Sequence, residues 1–176
     1  MIPDANRLRE ILCYDPETGS LTWRSRKRES FATLKSCNTW NSRYAGTPAL
    51  RSLDSHGYMQ GHCDGRLLLA HRVAWAIYHG AWPDRIVDHI NHDKLDNRIQ
   101  NLRLVTNSES ARNKPLSPRN KSGVAGVQRV GNRWVVTIST TQLGSFRSFD
   151  DAVAARRAAE VEMGFHPNHG RPRVAS

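Results

Sequence analysis

At 176 residues the chain has room for one ordinary domain or two small ones. An apolar content of 38% and a mean hydropathy of -0.62, with no run near the roughly 18 apolar residues of a membrane span, argue against a membrane protein. A net charge of +10 and a pI near 10.3 point to a polyanionic partner, because each neutralised phosphate releases a counterion.

The charge is unevenly placed. Residues 1–70 carry ten basic and seven acidic side chains, 71–113 carry six and five, and 114–176 carry ten and four. The middle is thus nearly neutral and the last third strongly basic, which suits carboxylates in the middle having a role other than solvation. Cys13, Cys37 and Cys63 are odd in number and contain no Cys-x-x-Cys pair, so neither a disulfide framework nor a zinc ribbon is expected. Met1 to Arg7 lack the apolar stretch of a signal peptide, and the expected location is the cytoplasm (a host's, if the gene is a phage's).

In chain order, Leu8, Ile11 and Leu12 give a short helical pattern over 4–13. Asp15-Pro16-Glu17-Thr18-Gly19 predicts a turn and Ser20 to Trp23 a strand. Residues 24–56 are the least legible. Their basic run at Arg24, Arg26, Lys27 and Arg28 reads as a solvated loop, with Trp23, Phe31 and Trp40 as aromatic neighbours. Two strands near 57–59 and 66–69 meet at Asp64-Gly65, a hairpin signal. His71 to His79 predicts a helix stopped by Gly80, Ile86 to Ile90 a strand, and Leu102 to Val105 another. Asn107 or Ser108 would cap a short helix to about Asn113.

Residues 115–122 have the composition of a linker. Beyond them, Val124 to Val130, Arg133 to Ser139 and Leu143 to Phe146 predict three strands. Ser148 with Asp151 matches a capping box for an Ala-rich helix ending at Gly164. Trp134, Val136 and Ile138 would pack on Ala152, Ala155 and Ala159 of that helix. The organisation expected is therefore 1–56, an N-terminal basic region; 57–114, a central core; 115–122, a linker; 123–165, a small α+β module; and 166–176, a basic tail.

The informative stretch runs from Val87 to Thr106. In an extended strand Asp88 and His89 point to opposite sides, so the carboxylate can hold a hard cation while the imidazole addresses a water. That is a usable pair for phosphodiester hydrolysis. A lone Asp-His pair is common, and Asn-rich loops are usually turns.

The ordered set His71-Arg72, Asp88-His89-Ile90-Asn91, Asp96-Asn97-Arg98, Asn101-Leu102-Arg103 and Thr106 resembles the HNH nucleases of phage and intron homing type. The opening Tyr14-Asp15-Pro16-Glu17-Thr18-Gly19 resembles theirs as well. The resemblance implies a ββα-metal (His-Me finger) core using Mg2+ or Mn2+. Asp88 would be a metal ligand, His89 the general base and Asn101 a buried amide shaping the metal loop. The family commonly has Glu-Asn on the closing helix, where this chain has Glu109-Ser110. Ser110, Asn113 one turn on, or Glu109 would then stand in as second ligand.

Ser122 to Val127, Arg133-Trp134-Val135, Leu143 to Phe146 and Phe149 to Ala155 resemble the AP2 DNA-binding domain, a three-stranded sheet backed by one helix. DNA contacts are expected from Gln128, Arg129, Arg133, Thr137 and Arg147, and from Arg98 and Arg103 in the core. Ser139 stands where that family often has Arg, which favours phosphate contact over base readout. The fold class expected is α+β. The function expected is a magnesium-dependent, nicking, homing-type endonuclease acting on double-stranded DNA, as monomer or homodimer. Its rivals are a non-catalytic DNA-binding protein on a degenerate scaffold and an RNA-binding accessory protein.

Overall fold

The computed structural model describes residues 2–171, so 172–176 of the expected basic tail lie outside the described residues. Their fold is mixed α and β with four small sheets, and no described helix is long and apolar enough to cross a membrane. Contacts divide the chain into two units. The first holds the described residues up to His89 together with Asp93–Leu104; the second holds Ile90–His92 and the described residues from Val105 onward.

In the first unit, α1 (Ala5–Ile11) starts at Asp4, whose carboxylate accepts the Arg7 N–H. It runs directly into β1 (Leu12–Tyr14), which pairs antiparallel with β2 (Leu21–Trp23) across the predicted turn. Then α2 (Leu34–Tyr44) fills part of the stretch the sequence left unread. Its start is a Thr33/Ser36 capping box, but Cys37 is its one buried residue, so it shows no apolar stripe to be recognised by.

β3 (Ser52–Leu53), β4 (Met59–Cys63) and β5 (Arg66–Leu69) form a three-stranded antiparallel sheet. The β4–β5 turn is Asp64-Gly65 as predicted, both with positive φ (46° and 74°), the signature of a type I′ hairpin. α3 (Ala70–His79) ends on Gly80 in the left-handed region, as predicted. Arg9 donates twice to the Ile77 carbonyl at its C-terminal end, at 2.9 and 2.6 Å.

The core joins Leu8, Ile11, Leu12 and Leu21 to Leu50, Cys63, Leu68, Val73 and Ile77. Residues before 57 therefore share one core with those after it, rather than forming a separate basic region. β6 (Ile86–His89) and β7 (Leu102–Val105) make a two-stranded sheet, with Val87 and Leu102 packed on Ala74 of α3.

In the second unit, α4 (Asn107–Ala111) is capped by Thr106 rather than by Asn107 or Ser108. Thr106 accepts the Glu109 N–H, and Glu109 reaches back to the Thr106 N–H at 2.7 Å. The segment expected to be a linker is tied down. Asn120 accepts the Gly123 N–H and donates to the Val124 carbonyl, and the Leu116 N–H bonds the Arg171 carbonyl.

β8 (Val127–Val130), β9 (Arg133–Ile138) and β10 (Thr141–Phe146) follow in an antiparallel sheet of order β10-β9-β8, backed by α5 (Phe149–Glu162). Ser148 accepts the Asp150 and Asp151 N–H groups at the start of α5. Val127, Val136 and Ala152 centre the core. The buried stripe of α5 is Ala152, Arg156 and Glu160, four residues apart, rather than the Ala152, Ala155 and Ala159 expected. Arg156 lies with 4% of its side chain exposed, and donates to Glu160 at 2.8 Å.

Candidate active site

β6 alternates as the sequence implies. Val87 and His89 are buried, while Asp88 on the other side is half-buried. His89 Nε2 lies 3.1 Å from Asn97 Oδ1. An amide oxygen can only accept, so Nε2 carries the proton and Nδ1 is the basic nitrogen of the neutral ring. The Asn97 amide N–H group points to the Met59 sulfur at 3.8 Å, which is consistent with that orientation. Burial holds the His89 pKa below the ordinary imidazole value; the Asn97 bond and the carboxylates of Asp88, Asp93 and Asp96 oppose the shift without reversing it. His89 is therefore neutral at pH 7, as a proton acceptor must be.

Sequence reasoning gave Asn97 no role, yet it is 2% exposed and sets the tautomer of His89. Its loop rests on the β1–β2 hairpin. Tyr14 donates its hydroxyl to the Asn97 carbonyl at 2.7 Å, and the Ile99 N–H bonds the Pro16 carbonyl at 3.1 Å. At Gly19, whose φ is +75°, a Cβ would stand 2.5 Å from the Arg98 nitrogen and 2.6 Å from the Asn97 carbonyl carbon. Gly19→Ala is expected to cost at least about 1–2 kcal/mol from backbone conformation alone, and to lower any cleavage by displacing Asn97. Urea unfolding and plasmid assays on the same variant measure both.

Asn101 is buried and donates to the Asp96 carbonyl at 2.8 Å, which ties the loop between β6 and β7 across five residues. Asp88 Oδ2 takes Arg103 Nη2 at 3.0 Å, and Arg98 Nη2 lies 2.6 Å from Asp96 Oδ2. Both core arginines expected on DNA thus form ion pairs within the unit.

Behind His89 are two more rings. His71 and Tyr58 have centroids 5.2 and 5.9 Å from it, and 5.0 Å from each other. His71 Nδ1 is buried without a hydrogen-bond partner. Burial first, and then the nearby His89 and Arg72, push the His71 pKa down to about 3, against a weak pull from Asp54. Between pH 6.5 and 3 the unfolded chain binds a proton here that the folded chain does not, so stability is complete above pH 6.5 and falls as the pH drops. The expected loss from His71 alone is about 2 kcal/mol by pH 5. Urea midpoints from pH 8 to 5 measure it, and a His71→Phe variant should show a flatter profile.

In the second unit, Asn113 is buried with Oδ1 3.0 Å from His92 Nε2. Ser110 is half-buried, with its N–H on the Thr106 carbonyl. The Glu109 carboxylate is engaged by Thr106. Among the described residues, no group of three or more His, Cys, Asp or Glu side chains converges on a point that would hold a metal ion. The ligand set expected from sequence contains one acid besides Glu109, so it rests on Asp88.

The sheet of the second unit has two faces. Register pairs Arg129 with Trp134 and Val127 with Val136, so Arg129 stands on the helix side, its guanidinium 5.8 Å from the Trp134 ring centre. It does not share a face with Gln128, Arg133 and Thr137. Arg133 is exposed and bonds Ser145 through Oγ and the carbonyl, Thr137 is half-buried, and Gln128 and Arg147 are exposed.

Residues 68–112 match the HNH endonuclease family. The HNH match takes in α3, Asp88, His89, Asn97 and Asn101, and in the second unit it reaches Arg112. It does not extend over the β8–β10 module. An uncharacterized HNH endonuclease of Acanthamoeba polyphaga mimivirus is 40% identical over 73 residues, 41% of this chain and 38% of that protein. The matched stretch thus spans well under half of that relative's length. No solved structure matches the chain.

Proposed function

We propose that this HNH-containing chain is an endonuclease that hydrolyses DNA phosphodiester bonds, with His89 as general base. The observation that carries it is a buried, neutral His89 whose Nε2 proton is fixed by Asn97, beside the Asp88 carboxylate. The family match over 68–112 supports the same chemistry.

An oxygen-seeking cation such as Mg2+ or Mn2+ keeps most of its waters and needs few protein ligands, and in the first unit the carboxylate offered to it is Asp88, which is ion-paired with Arg103. Asp88 would hold it; Ser110 and Asn113, expected as further ligands, belong to the second unit. When bound, the ion supplies positive charge to the phosphate and the departing oxygen. His89 Nδ1 takes a proton from a water whose oxygen forms the new bond to phosphorus, and the bond to the leaving oxygen breaks. Asn97 keeps the imidazole in the tautomer this requires. Arg103 holds the Asp88 carboxylate in place and sets a fixed positive charge beside it.

The outer face of the β8–β10 sheet, with Gln128, Arg133 and Thr137, would lie against duplex DNA in the manner of an AP2-like module, since a narrow sheet enters the major groove. A single site of this kind cuts one strand per binding event, so a nick is the primary product of this homing-type reading.

Incubation with supercoiled plasmid and Mg2+ or Mn2+ tests the proposal. The expected product is open-circular DNA, absent with EDTA. Protein that binds the plasmid and never relaxes it would favour instead a DNA-binding scaffold whose Asp88 is permanently committed to Arg103.

A further inference from the structure

One feature of the first unit lies outside this chemistry. α2 presents Trp40 and Tyr44 on a side that no core covers, and Phe31 stands beside them. The ring centres of Phe31 and Tyr44 lie 6.1 and 5.2 Å from that of Trp40, and Trp23 meets Trp40 edge-on at 5.8 Å. A shallow, open groove of about 460 Å³ lies here, lined by Phe31, Lys35, Thr39, Trp40, Arg43 and Tyr44.

The platform is fixed in advance. Asn41 accepts the Arg26 N–H at 2.8 Å and donates to the Arg26 carbonyl at 2.9 Å, locking the preceding loop to α2. The Arg26 guanidinium sits 4.5 Å from the Trp40 ring centre and 5.5 Å from that of Trp23. Residues 24–44 carry six basic side chains against one acid, Glu29.

We propose that this groove binds an unpaired base of single-stranded DNA, stacked on Trp40, with the flanking phosphates on Lys35 and Arg43. Aromatic rings inside a basic surface are the chemistry of single-strand binding, because every base offers a π-face and every link a negative charge. A duplex hides its base faces in the stack and cannot fill the groove. An apolar peptide segment would leave the cluster of positive charge unmatched, and an acidic one would match the charge but bring no flat base to stack on Trp40. The groove is separate from His89 and does not depend on the chain cutting DNA.

Fluorescence anisotropy with the full chain in EDTA, where no metal-dependent cleavage intervenes, tests this with three probes. They are labelled oligo(dT) of twelve nucleotides, an abasic strand of the same length, and a twelve-base-pair duplex. Oligo(dT) should bind more tightly than the abasic strand and quench tryptophan emission. Trp40→Ala should weaken oligo(dT) binding about tenfold or more, while changing duplex binding less than about twofold. Since Trp40 also packs on Trp23 and Phe31, Tyr44→Ala at the same groove serves as a second variant, with a loss in the same direction. Lys35→Ala and Arg43→Ala should each reduce the salt slope for oligo(dT) by about 0.7. Equal affinity for abasic and thymine strands would overturn the proposal. So would equal losses for duplex and single strand in folded Trp40→Ala and Tyr44→Ala.

Discussion

His89→Ala is expected to lower plasmid relaxation by about 10²- to 10⁴-fold, the range for loss of a positioned general base, with DNA affinity unchanged. The variant leaves the buried Asn97 amide oxygen without His89 Nε2, so circular dichroism of the folded variant accompanies the assay. Asn97 supplies a more discriminating test. Asn97→Ala leaves the imidazole present but frees its tautomer and rotation, so a smaller rate loss than that of His89→Ala is expected, and none in the double variant beyond His89→Ala alone. The pH profile carries the same information. Because the folded His89 pKa lies below the ordinary imidazole value, the base stays unprotonated somewhat below pH 6.5, and the acid limb of the rate should fall at lower pH than for a solvated histidine. Nicking that survives His89→Ala would remove the histidine from the mechanism.

Glu160→Ala is expected to destabilise the second unit by about 3–5 kcal/mol, the usual cost of stranding one member of a buried ion pair. The variant leaves the Arg156 guanidinium inside with two weaker partners, the Thr137 carbonyl and His169 Nε2. Against the roughly 5–15 kcal/mol that holds a typical domain together, such a loss is large. Urea unfolding followed by circular dichroism reads it, and Trp134, packed on Phe149 at 4.7 Å between centroids, reports on the same core. Replacing both members with apolar residues, as in Arg156→Met with Glu160→Leu, should recover most of the loss, since it buries no charge. A cost below about 1 kcal/mol for Glu160→Ala would mean that Arg156 reaches water in the variant.

Much of the architecture was legible because it is locally encoded. Apolar runs between turn signals mark β6, β8, β9 and β10, with a shared face only at Trp134, Val136 and Ile138 of β9, and turn chemistry marks the Asp64-Gly65 hairpin and the Gly80 stop. The short helix α4 is legible but its cap is Thr106, one or two residues before the expected Asn107 or Ser108, because all three are good cap formers and only the Glu109 back-bond distinguishes them. α2 was not legible, since an aromatic side that faces outward gives no core period to detect.

By itself, the sequence determined that adjacent Asp88 and His89 on a strand point to opposite sides, because the pleat requires it; that His89 is the buried one and Asp88 the half-buried one was decided by packing. It also marked Asn101 as a buried amide through resemblance. What only the tertiary structure decided is which groups act on that pair. Asn97 against His89, Tyr14 beneath Asn97 from 83 positions away, Gly19 against Arg98, and the His71 and Tyr58 rings are long-range contacts. The same holds for Arg129 on the helix side of its sheet and for the buried Arg156–Glu160 pair. Strand register and inter-element packing fix these relations, and neither has a signature within a few residues of chain.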